Sequence, residues 1–166
     1  PPGDADGNAF QPRNPDIDFR GQKRSNDTHA SRTDPEARLY RKSAGQEATL
    51  SHMGHLLTEN RHGLIVGVTV SEANGTAERQ AALQMLTRAK RRHRLRPKTV
   101  GADKGYDAGA FLRKLERRKI TPHVPIVKPP RDPKEVADKT QVPDIRARRR
   151  MQARLGTDGY TVSQRC

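Results

Sequence analysis

Tryptophan is absent from this chain, aromatic residues make up only 4% of it and apolar residues reach only 31%. An ordinary soluble domain has about 45–50% apolar residues on a count that adds glycine. So little apolar surface predicts a small or incomplete core, because burial is what offsets the entropy of ordering a chain. The single cysteine, Cys166, is the last residue. It excludes an intrachain disulfide and a cysteine-based zinc site, and it fits a reducing cytoplasm. No run approaches the roughly 20 apolar residues that span a bilayer, and no basic stretch carries the apolar face of an interfacial helix, so a membrane is not an expected partner. The opening Pro1-Pro2-Gly3 has no initiator methionine, signal-peptide core or transit pattern. The chain therefore reads as an internal part of a longer protein.

Positive charge is what the sequence has in excess. Lys and Arg outnumber Asp and Glu by 33 to 19, a formal charge of +14 and a pI near 10.7. That balance is the footprint of a polyanion partner, with nucleic acid foremost.

Residues 1–47 read as an extended loop region, with Asn14-Pro15 and Thr33-Asp34-Pro35 as turn signals. A core over 48–125 follows, in the order strand, strand, helix, strand, helix, strand. Its first two strands, about Ala48 to Thr58 and Leu64 to Val70, are separated by a turn around Gly63 and predict a hairpin. The second is apolar without alternation, which predicts a central strand buried on both faces. Ala77, Ala81, Ala82, Met85, Leu86 and Ala89 recur at helical spacing, with Glu78 in the first turn and Lys90-Arg91-Arg92-His93-Arg94 at the end, where the helix dipole favours cations. A short strand over 98–102 runs into Asp103. A helix over about 108–119 and a strand over 120–125 complete the core. Residues 126–166 read as an exposed basic connection.

Several side chains could carry chemistry, and each has a structural alternative. Taken from spacing alone, Asp103 caps the Gly105 turn or binds a metal. Asp107 directly precedes a helix and reads as its N-cap. Tyr106 packs beside the Asp103 position or touches DNA. His52 and His55 stand three apart on a strand, point to opposite faces and cannot chelate one ion together. Asp34, before Pro35, is a turn residue. Arg91, Arg92 and Arg94 in one run, and Arg148, Arg149 and Arg150 in another, either end helices or contact nucleic-acid phosphates.

Read in order, Lys23-Arg24-Ser25-Asn26-Asp27-Thr28-His29-Ala30-Ser31, Thr33 to Tyr40, Met53-Gly54-His55, Gly75-Thr76-Ala77-Glu78-Arg79, Gly101-Ala102-Asp103-Lys104-Gly105-Tyr106-Asp107 and Tyr160-Thr161-Val162-Ser163-Gln164-Arg165 resemble successive signatures of bacterial insertion-sequence DDE transposases. The resemblance implies an α/β, ribonuclease-H-like fold: a mixed sheet flanked by helices, on which three carboxylates meet. It implies DNA as substrate, Mg²⁺ or Mn²⁺ as cofactor with two ions in the complete site, and a homo-oligomer in the transposition complex. Asp103 matches the second catalytic acid. The first, on the first strand, has no counterpart here, and the third, a Glu on a helix after a segment like Tyr160 to Arg165, falls beyond Cys166. The chain is thus expected to be an incomplete, inactive part of a catalytic domain. The alternatives are a non-catalytic nucleic-acid-binding module from a decayed transposase and another ribonuclease-H-like nuclease.

Overall fold

A computed structural model of the chain describes residues 25–28, 30–41, 46 and 48–163. The loop reading of residues 1–24 and the Gln164-Arg165 end of the last signature lie outside the described residues. Two compact units are present, one on residues up to Met53 with Val70–Gly75, the other on Gly54–Thr69 with Thr76 onward.

In the first unit, β1 (Arg38–Tyr40) pairs antiparallel with the start of β2 (Thr49–Thr58), with Arg38 opposite Ser51 and Tyr40 opposite Thr49. Asn26 completes the outer side of β1 with its amide: Oδ1 accepts from Leu39 N at 2.7 Å, and Nδ2 donates to Leu39 O at 3.1 Å. An asparagine side chain thus stands in for a missing strand neighbour and satisfies backbone groups that an edge leaves open. Arg38 reaches across to Glu72 with an ion pair at 3.2 Å.

The hairpin is as expected: β2 turns through residues 59–64 into β3 (Ile65–Glu72), giving the sheet order β1-β2-β3. Glu59 organises the turn, its carboxylate accepting from the Arg61 and His62 amides at 2.8 and 2.6 Å, while Gly63 supplies a positive φ of 71°. The expected centrality of β3 is corrected. Among the described residues it is an edge strand, and Ile65, Val68 and Val70 are 55–64% exposed. Continuous apolarity there marks an uncovered face, not a doubly buried strand.

The second unit holds the core. Helix α1 (Ala77–His93) buries Ala81, Met85, Leu86 and Ala89 and ends in a left-handed Arg94, whose φ is 55°. The Leu95 amide bonds back to Ala89 O, a helix-terminating arrangement that Pro97 follows. Strand β4 (Thr99–Gly101) pairs parallel with β5 (Thr121–His123), and α2 (Gly109–Arg117) connects them. Leu112, Leu115 and Val124 are fully enclosed.

Residues 126–166 are more than an exposed connection. They contain α3 (Val142–Gln152) and the short α4 (Asp158–Ser163), and α3 contributes Ala147 and Met151, both fully buried, to the core with Phe111, Leu112 and Leu115. The helices α2 and α3 approach so closely that a Cβ on Gly109 would lie 2.6 Å from the Asp144 carbonyl oxygen. The chain is therefore α/β, with one three-stranded and one two-stranded sheet among the described residues.

Candidate functional site

Asp103 follows β4 after one residue, Ala102, and opens a one-turn 3₁₀ helix over Lys104–Tyr106. Its Oδ1 accepts from Gly105 N at 2.8 Å, so the capping role open in the sequence is realised. One hydrogen bond to one oxygen leaves the rest of an exposed carboxylate available.

The N-terminal turn of α1 meets this loop. Arg79 donates through Nη1 to Gly105 O at 2.8 Å. The position a Gly105 Cβ would take lies 3.0 Å from Asp103 Oδ1 and 3.5 Å from Glu78 Oε2. Carboxylate oxygens of Asp103 and Glu78 thus both lie close beside Gly105. Tyr106 lines the same corner, half-buried against Phe111 with ring centroids 5.3 Å apart. Burial raises its phenol above the usual pKa, and the nearby negative charges of Glu78 and Asp103 add to the effect.

Glu78 and Arg79 were not singled out as site residues by sequence. Their signal was weak, because an acid in the first turn of a helix is already explained by the dipole. Hard oxygen donors of this kind suit Mg²⁺, which is held by few carboxylates and retains water. Among the described residues no group of three or more acids, histidines or cysteines is arranged around one ion.

Asp107 is not the cap of α2; that position is Ala108, with no side-chain bond. Instead Asp107 accepts a bidentate pair from Arg148, Nε and Nη2 each at 2.7 Å, plus the Val127 amide at 3.1 Å. Its side chain is only 4% exposed.

The two arginine runs differ in surroundings. Arg148 is engaged by Asp107 and the Lys128 carbonyl, Arg150 binds Glu116 through two bonds at 3.1 and 2.6 Å, and Arg149 lies 3.7 Å from Asp132. These acids occupy the forks that a phosphate would use. Arg91, Arg92 and Arg94 are exposed and have no acidic partner among the described residues.

The histidines behave as their strand spacing predicts. His55 is buried, whereas His52 is outside and bonds Asp34 at 2.8 Å. The Asp34 hydrogen bond raises the pKa of His52, and the same bond lowers that of Asp34. Asp34 also accepts the Ala37 amide at its backbone, as a turn residue should. His123 is buried, with Nδ1 2.7 Å from Ser163 Oγ and its ring edge-on to Tyr160; desolvation lowers its pKa, with the Arg154 charge second.

A family model described as "Transposase DDE domain" matches residues 21–165. Neither the curated proteins nor the solved structures give a significant match. No helix among the described residues is long and apolar enough to cross a membrane.

Proposed function

Because the chain belongs to the transposase DDE domain family, we propose that it is the central part of a transposase catalytic domain and that Asp103 is one of its metal-binding carboxylates. The observation that carries this reading is that Asp103 stands just past the end of a parallel strand, with a Glu78 carboxylate oxygen close by on the other side of Gly105. The hairpin, the helix after it and the parallel β4/β5 pair support a ribonuclease-H-like origin, with catalytic acids at strand ends.

Transposition reactions are in-line displacements at phosphorus: water or a DNA 3′-hydroxyl attacks, and another oxygen leaves. Two bound Mg²⁺ or Mn²⁺ ions would stabilise the attacking and leaving oxygens together. Asp103, with Glu78 as a second oxygen donor, would hold such an ion. Arg79 fixes the turn from which Asp103 projects. Two acids hold Mg²⁺ more weakly than three, so this chain by itself is expected to cut no DNA. A homo-oligomer holding transposon ends is the expected assembly of the whole enzyme.

The lack of a three-acid group among the described residues favours a second reading, a non-catalytic DNA-binding module. Mn²⁺ titration followed by amide NMR separates them. Under the first, millimolar Mn²⁺ broadens the Gly105 and Ala102 amides, and Asp103→Asn abolishes the effect. Equal broadening in Asp103→Asn, or none in the unsubstituted chain, refutes the metal role. Metal-dependent plasmid nicking that Asp103→Ala removes would refute the expected inactivity.

A further inference from the structure

Helix α1 carries a feature that the Asp103 corner does not use. On its exposed side, Leu83, Thr87, Arg88, Arg91 and Arg92 line an open groove of about 430 Å³, to which Arg118, after the end of α2, also contributes. Arg88, Arg91 and Arg92 have no acidic partner among the described residues, and Arg118 binds only the Lys114 carbonyl of its own helix. Helix-end chemistry accounts for Arg91 and Arg92, which sit in the last turn of α1. It does not account for Arg88, a turn earlier, or for a cation delivered from another helix. Four guanidinium groups around one groove without a counter-charge repel one another, and that arrangement is relieved by a polyanion.

Resting on the DNA reading above, we infer that this groove seats the phosphate backbone of duplex DNA, with Arg88, Arg91, Arg92 and Arg118 as its phosphate contacts. Arginine forks bind phosphate oxygens bidentately, and phosphate contacts position a duplex without reading its sequence.

The test is binding of the whole chain to a fluorescein-labelled 16-base-pair duplex of arbitrary sequence, measured by anisotropy in EDTA across a salt series. Working without metal keeps the result independent of Asp103 chemistry. The triple variant R88Q/R91Q/R92Q should flatten the slope of log affinity against log salt by about 2 to 3, and Arg118→Gln alone by about 1. A charge-matched control, K128Q/R131Q/K134Q, should leave the slope within about 0.5 of the original. Circular dichroism melting checks that each variant folds; Arg118→Gln alone carries the test if the triple does not. Slopes unchanged in the groove variants, or reduced equally by the control, overturn the groove as the phosphate seat while the DNA reading stands. No binding by the unsubstituted chain overturns both.

Discussion

Replacing Arg148 by methionine should destabilise the chain more than neutralising its partner does. The Asp107 side chain is 4% exposed and that of Arg148 23% exposed, so R148M strands a carboxylate out of water, whereas D107N leaves a guanidinium that still reaches solvent and the Lys128 carbonyl. Breaking a buried pair by removing one partner costs about 3–5 kcal/mol. The Val127 amide remains on Asp107, which places R148M near the low end, about 3 kcal/mol. Asparagine preserves an acceptor for that amide, and D107N should cost about 1–2 kcal/mol. For a chain of this size 3 kcal/mol lowers the melting temperature by roughly 6–12 °C. Thermal and urea unfolding of R148M, D107N and the double variant measure the costs and their coupling. A loss below about 1 kcal/mol in R148M, or a larger loss in D107N than in R148M, would refute the assignment of Asp107 as the buried member that depends on Arg148.

Gly109→Ala should separate α2 from α3, since its Cβ would overlap the Asp144 backbone; a loss of about 1–3 kcal/mol is expected, and a neutral result in urea unfolding would count against the close approach. In an NMR titration the His52 ring should show a midpoint above the ordinary histidine value, falling back in Asp34→Asn, because the Asp34 hydrogen bond raises it. The sign follows: the His52 contribution is complete below about pH 6.5, the unfolded value, and is lost as pH rises through the elevated folded value. A midpoint at or below the ordinary value defeats the pairing.

The periodicity of α1 was legible because its buried residues are small or apolar and its exposed ones charged. Helix α3 was not. Its inward face offers Ala147 and Met151 four apart, but four arginines between Ile145 and Met151 hide that spacing under charge, and the acids that receive Arg148, Arg149 and Arg150 lie between 17 and 41 positions away in the chain, where no local pattern points to them. The exposure of β3 was illegible for a related reason. Apolar residues on both faces describe what a strand could bury, and composition does not say whether a neighbour is there. At the candidate site, Asp103 stood out through its ordered surroundings, whereas Glu78 and Arg79 join it only through the contact between the start of α1 and the Gly105 turn.

Two arginines hold the short segment after β4 at two points. Arg79 grips the Gly105 carbonyl, and Arg148 grips the Asp107 carboxylate, two residues on. The segment is thereby tied to α1 and α3 at once, and Asp103 stands two residues before the first tie. The consequence is remote dependence: α3, although it lies 35 residues beyond Asp107, takes part in holding the stretch that Asp103 opens.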